Sequence, residues 1–198
     1  MSPRRRSAPR AGGMRVIAGE ARGVPLRGPR GADTRPTAAR LREALFSMLE
    51  AAGADFDRVL DLYAGSGALG IEALSRGDGE ATFVESDPRA VEAIRENLER
   101  THLQDRAHVA LARVERWRPP PGTRYTLVVA DPPYHDATAW ETIDTVVRDA
   151  LAPDAVVVVE HEARTMPPDV LAGLPLWRTR RQGAGSVAVY RPTGEEAP

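Results

Sequence analysis

No cysteine occurs anywhere in the 198 residues, which excludes disulfides and thiolate metal sites. Lysine is missing as well: all 27 basic residues are arginine, a preference that genomic base composition accounts for. The four histidines are scattered without metal-ligand spacing, so no metal is expected. No apolar stretch approaches the roughly 20 residues of a membrane span. The arginine-bearing N-terminus lacks the apolar segment that a secretory signal needs. A cytoplasmic protein without membrane contact is the resulting expectation, and a monomer fits this size. Internal repeats are absent. What is present suits one globular domain with a small appendage, at 42% hydrophobic residues.

The net charge of −1 conceals a segregation. Residues 1–42 hold eleven arginines against Glu20 and Asp33, a local +9, whereas the remainder holds sixteen against twenty-six acids, a local −10. Such a division suggests a nucleic-acid-facing arm on an acidic body. Residues 1–13 have no periodicity and read as a disordered leader. Met14–Ala18 and Val24–Arg27, around Gly19 and Gly23, suggest a small hairpin. Pro29–Thr34 reads as a loop, and Thr37 as the cap of a helix to about Ala52. Residues 14–53 form an extension expected to face nucleic acid, RNA or DNA, and 54–198 the main domain.

From Arg58 strands and helices alternate. Strands are expected at Val59–Leu62, Ala81–Glu85, Ala107–Leu111, Leu127–Ala130 and Ala155–Glu160. Helices are expected at Ala68–Arg76, from Pro88 (capped by Asp87) to about Thr101, and at Ala137–Ala150. The consecutive valines before Glu160 mark an interior parallel strand. Leu174–Arg180 and Ser186–Arg191 suggest a closing antiparallel hairpin. The pattern predicts an open α/β fold, a mostly parallel sheet covered on both faces.

Two motifs carry chemistry. Gly65, Gly67 and Gly70 satisfy G-x-G-x-x-G between a strand and a helix, and Glu85 ends the next strand, where an acid can accept ribose hydroxyls. Alone this fits a dinucleotide site equally well, or a bare glycine turn. Asp61 tips the reading towards S-adenosyl-L-methionine (SAM), because a carboxylate there suits a cationic methionine end and would sit badly against a pyrophosphate. The second motif is Asp131-Pro132-Pro133-Tyr134, directly after an apolar strand. Asp131 and a carbonyl near Pro132 can accept bonds from an exocyclic amino group and favour a tetrahedral nitrogen. Tyr134 can stack on a base, a contact worth about 1–3 kcal/mol. A related tetrad with Asn in place of Asp serves protein glutamine amides. His135 is not needed as a general base, and Trp117, Trp140 and Trp177 read as packing or surface residues.

Four blocks carry a family resemblance: Arg15–Gly23, Thr34–Thr37 with Arg42–Ser47, Leu60–Gly67, and Asp131–Tyr134. Over residues 14–191 the chain resembles the bacterial 16S ribosomal RNA guanine-N2 methyltransferases of the RsmD type. The resemblance implies a class I SAM-dependent methyltransferase fold, Rossmann-like, with a mostly parallel seven-stranded sheet, an antiparallel C-terminal hairpin and a small N-terminal β-hairpin extension. It implies Asp61, Tyr63, Gly65, Gly67, Glu85 and Ser86 as cofactor residues and Asp131, Pro132, Pro133 and Tyr134 as catalytic ones. Arg22, Arg35, Pro36 and Thr37 are implied to meet RNA. S-adenosyl-L-homocysteine would be the product, and the substrate a guanine of 16S rRNA within the 30S subunit or an assembly intermediate. Leu111–Glu115 departs from the family pattern at the adenine seat. Adenine-N6 methylation of DNA or RNA is the alternative, as is a non-catalytic RNA-binding assembly factor.

Overall fold

The computed structural model describes residues 14–28 and 36–193, with 36–38 as backbone alone. The leader 1–13, the loop Pro29–Thr34 and Arg35 lie outside the described residues. A first helix, α1 (Pro36–Ala51), precedes β1 (Arg58–Leu62), α2 (Ala68–Arg76), β2 (Glu80–Glu85), α3 (Pro88–Thr101), β3 (Ala107–Leu111), β4 (Tyr125–Ala130), α4 (Ala139–Val147) and β5 (Leu151–Glu162). Strands β6 (Val170–Leu171), β7 (Leu174–Gln182) and β8 (Gly185–Tyr190) close the chain. The sheet order is β3-β2-β1-β4-β5-β8-β7-β6. The first five strands are mutually parallel, and β8 runs antiparallel to β5 and to β7.

Each central strand is apolar on both faces because helices cover both. Val59, Phe83, Val129 and Val158 face one core, with Leu45 and Phe46 of α1, Ile71 and Leu74 of α2, and Ile94 of α3. Leu60, Val84, Val128 and Val157 face the other, against Ile143 and Val147 of α4. Trp177 packs against the first core, and Trp117 and Trp140 against the second. Asp87 caps α3 as expected, its Oδ1 accepting from Arg89 N–H at 2.9 Å.

The sheet has eight strands, one more than the expected seven. The extra one, β6, is two residues long and pairs with β7 across a turn in which Ala172 and Gly173 both have left-handed φ, +52° and +83°. Hairpin turns of this kind are signalled by Asn-Gly or Asp-Gly, and an alanine conceals it. Asp144 of α4 holds the turn, accepting from Ala172 N–H at 2.7 Å. Two helix starts also shift. α1 begins at Pro36, which suits proline's fixed φ, so Thr37 lies inside its first turn instead of capping it. α4 begins at Ala139 because Asp136 Oδ1 accepts from both N–H and Oγ1 of Thr138, at 2.9 and 2.8 Å, and holds the chain in a turn.

The N-terminal hairpin reduces to one bridge, Arg15 with Pro25. Its stability comes from docking. Glu72 on α2, fully buried, accepts from Ile17 N–H at 2.8 Å and Ala18 N–H at 3.1 Å. Asn97 on α3 accepts from Arg27 N–H at 2.7 Å, and its amide donates to Arg27 O and Ser66 O at 2.8 and 2.9 Å. One side chain thus ties the N-terminal segment to the glycine loop after β1.

Candidate active site

Strand alternation assembles the site. Val59, Phe83, Val129 and Val158 share one face, so Asp61, Glu85, Asp131 and Glu160, each two residues further on, share it too. Val129 pairs with both Asp61 and Val158, and Asp61 pairs with Phe83. Glu85, Asp131 and Glu160 therefore occupy one level at the C-terminal edge, and Asp61 lies one layer below. Adjacent strands are about 4.8 Å apart, so Glu85 and Asp131, on either side of β1, are separated by roughly 10 Å. Asp131 and Glu160 stand on neighbouring strands.

The loop after β1 turns through three left-handed residues, Tyr63, Gly65 and Gly67, with φ of +56°, +55° and +75°. Gly70 permits the closest approach: a Cβ there would lie 2.4 Å from Phe83 Cε1 and 3.0 Å from Asp61 Oδ2. Asp61, only 1% exposed, accepts from Gly70 N–H at 2.8 Å and so fixes the start of α2. Burial pushes its carboxyl well above the usual carboxylate range, and the charges of Asp131 and Glu85 add to this. Glu85 Oε2 accepts from Gly65 N–H at 2.8 Å, and Oε1 from Ser86 and Asp87 N–H at 2.6 and 2.8 Å. These bonds aim its carboxylate into the cleft, and lone pairs remain for further donors.

A cleft of about 400 Å³ opens here, lined by Tyr63, Glu85, Ser86, Arg113, Glu115 and Pro133 among others. That volume suits a nucleoside-sized ligand. A second cleft of about 220 Å³ lies on the other side of the Asp131–Tyr134 loop, against Tyr134, Trp140, Glu160 and His161, and Pro133, Asp136 and Ala137 line both. Asp131 is open to solvent towards the site but walled by protein elsewhere. Those walls come first, and the charge of Glu160 second, in pushing its carboxyl up to about 7; its opening to water moderates the push. Glu160 is raised too, mainly by burial, while Tyr134 and Arg42 act in the opposite direction. Tyr134 O–H donates to Glu160 Oε1 at 3.3 Å.

The structure thus brings Asp61, Tyr63, Gly65, Gly67, Glu85 and Ser86 to the same edge as Asp131, Pro132, Pro133 and Tyr134. Arg113 and Glu115 line the wall beside Glu85, where the sequence left the adenine contacts open. Arg22 is exposed on a turn anchored by Ser75 at the far end of α2, away from this edge. Pro36 and Thr37 open α1, whose Leu41 approaches Gly185 beside Glu160. Arg42, counted in the basic arm, is 7% exposed; it donates to Arg15 O at 2.7 Å and lies 3.9 Å from Glu72. Glu160 escaped the sequence reading. The signal was an acid ending a valine run on the strand next to Asp131.

The donor set decides what fits. Among the described residues, Asp61, Glu85 and Asp131 have no cationic side-chain partner, and the charges of Asp131 and Glu85 add to the upward push on the Asp61 carboxyl. A cationic ligand with ribose hydroxyls would relieve this. A family model described as Conserved hypothetical protein 95 matches residues 14–191. The chain belongs to this family. Among its relatives, the Ribosomal RNA small subunit methyltransferase D of Escherichia coli (strain K12) is 35% identical over 94% of this chain and 92% of that protein. The "Putative rRNA methyltransferase YlbH" of Bacillus subtilis (strain 168) is also 35% identical, over 91% of this chain and 100% of the relative. A solved structure, the putative methyltransferase yhhF from Escherichia coli, is 34% identical with a TM-score of 0.76, over 93% of this chain and 100% of that one. The family is thus the RsmD type, with a class I methyltransferase fold and SAM as methyl donor. Asp61, Glu85 and Ser86 would hold that donor, which supplies an electrophilic methyl group when bound. No group of three or more His, Asp or Glu side chains that could hold a metal occurs among the described residues, and no helix there is long and apolar enough to cross a membrane.

Proposed function

We propose that this chain transfers the methyl group of SAM to the exocyclic N2 of a guanine in 16S rRNA. The substrate is the 30S subunit or an assembly intermediate, the enzyme a cytoplasmic monomer, and the second product S-adenosyl-L-homocysteine. The observation that supports this reading best is the level alignment of Glu85 and Asp131 across β1. It lets one ligand be gripped at its ribose on β2 while the target nitrogen is gripped beyond β4.

Each residue then has a defined task. Glu85 accepts from the ribose hydroxyls. Asp61 fixes the glycine loop and adds negative potential beneath the methionine end. Asp131 and the Pro132 carbonyl accept the two N2–H bonds, which removes the nitrogen lone pair from the ring's delocalised system. Tyr134, 49% exposed, is available to stack on the base. The N2–carbon bond forms as the carbon–sulfur bond breaks, and the electron pair leaves with sulfur. N2 then loses a proton to Asp131 or water. Orientation would supply much of the rate, with Asp131 and the Pro132 carbonyl fixing the amino group that attacks. A base in a helix must first be flipped out, at a cost of a few kcal/mol.

The test is methyl transfer from radiolabelled SAM to 30S subunits lacking the modification, to deproteinised small-subunit RNA, and to duplex DNA. N2-methylguanosine at one position in 30S or its RNA is the expected product. Label only in DNA, or recovered as N6-methyladenine, would overturn the reading.

A further inference from the structure

Asp131 has a neighbour to which methyl transfer assigns no task. Glu160 follows the buried run Val156–Val159, and Ala130 pairs with Val159, so Asp131, just beyond β4, and Glu160, within β5, are side by side. An ionisable group at the end of an apolar strand is more often turned to solvent. This one is half-buried and held. Tyr134, the expected base-stacking residue, donates to its Oε1 at 3.3 Å. Arg42, buried beneath it on α1, favours its ionised form. On the β8 side stands Gly185, and a Cβ there would lie 3.3 Å from Glu160 Oε1 and 3.4 Å from the Tyr134 hydroxyl. The carboxylate is therefore positioned from two sides, and the backbone beside it carries no side chain that would crowd it.

We propose that Glu160 selects the target base by accepting the N1–H of guanine while Asp131 accepts from the adjacent N2 amino group. This deepens the guanine-N2 reading and rests on it. Guanine carries two neighbouring donors on its Watson–Crick edge, N1–H and N2–H. Adenine carries one donor, on N6, beside an acceptor lone pair on N1. Two carboxylates side by side match the first pattern. Against the second, one of them faces a lone pair with no proton between, a buried mismatch of the kind that polar sites reject strongly. Asp131 alone does not discriminate, since both bases offer it an amino group. The neighbouring carboxylate does.

The test places 2-aminopurine at the modified position of the substrate RNA. This base keeps the 2-amino group but has an acceptor at N1. The intact enzyme should prefer guanine by about 100-fold or more in kcat/KM, the range expected of a site built around a donor. Glu160→Gln offers both an acceptor and a donor, so the preference should shrink to about fivefold or less, chiefly by a gain on 2-aminopurine. Glu160→Asp keeps the charge and should lower turnover of guanine while keeping the preference, which leaves a usable comparison if the glutamine variant is unstable. An unchanged preference in Glu160→Gln, with both substrates slowed alike, would reduce Glu160 to a structural role and overturn the inference while the guanine-N2 reading stood. N6-methyladenine from the unaltered enzyme would instead overturn that reading first.

Discussion

A carboxyl group that works by accepting hydrogen bonds works best while ionised, and burial with a neighbouring acid holds Asp131 close to that limit. Among the described residues, the groups facing it are acidic or neutral: Glu160 on β5, Asp61 on β1, and the loop carrying Tyr134. A cationic ligand arriving between Asp61 and Asp131 favours their ionised forms. Cofactor binding should therefore release protons near pH 7 and tighten as pH rises from 6 to 8. Calorimetry in two buffers of different ionisation enthalpy measures that release, and equal heats in both would contradict it. Stability of the free protein should move the other way. A folded pKa of about 7 exceeds the value of 3.8 expected in the unfolded chain, so the folded state binds more protons between those limits. Stability then falls as pH rises through that window, and Asp131→Asn should flatten the dependence. Asp131→Ala separates binding from chemistry. It should weaken cofactor binding far less than it lowers transfer, which should fall by about 100-fold or more, the usual consequence of removing one positioned group from a transition-state site.

The N-terminal segment is fastened by side chains more than by strands. Glu72 accepts from two backbone N–H groups of that segment and from Arg76 Nε at 2.8 Å, and Arg42 lies close. Glu72→Ala would leave the buried Arg42 guanidinium short of its counter-charge and Arg76 with Glu50 as its ion-pair partner, at a cost of about 3–5 kcal/mol. Urea denaturation should show it as a lowered midpoint, and Glu72→Ala combined with Arg42→Met should recover part of the loss. A change below about 1 kcal/mol would mean that the network is solvated. These elements also mark what the sequence could reveal. The β/α alternation was legible because buried parallel strands are short apolar runs punctuated by caps, as at Asp87-Pro88. The place of Asp61, Glu85 and Asp131 at the C-terminal edge was legible because each lies at or near the end of a strand, within four residues of a following glycine or proline. Glu160 was not, because its partnership with Asp131 depends on the register of two strands separated by a helix. Arg42 was read as surface charge, since nothing local shows that Glu72 lies 3.9 Å away. The two-residue β6 carries no periodicity at all.

At the scale of the whole molecule, the segregated charge of the sequence is partly redistributed by folding. Arg42 is buried and so is not placed to meet a phosphate, and the exposed Arg27 is partly neutralised by Glu96 at 3.0 Å. Positive charge reappears on β7, where Arg178, Arg180 and Arg181 are exposed. Arg178 stacks over Trp177 at 4.6 Å, whereas Arg180 and Arg181 make no ion pair among the described residues. Their place matters more than their number. Arg181 pairs with Ser186, and the following turn brings Gly185 against Tyr134 and Glu160. Arg180 and Arg181 thus lie, on opposite faces of the sheet, on the strand that leads into the turn beside Glu160. An RNA strand delivering a flipped nucleotide there carries phosphates on either side of it, and arginine holds phosphate in bidentate geometry. Replacing both Arg180 and Arg181 with alanine should raise KM for the RNA about tenfold or more with little change in kcat. The slope of log affinity against log salt should become shallower by about 2, one unit for each lost phosphate contact. Cofactor affinity should not move, because neither residue reaches the cleft beside Glu85. An unaltered salt slope would place the RNA track elsewhere, and the arginines of the N-terminal arm would then have to supply the contact alone.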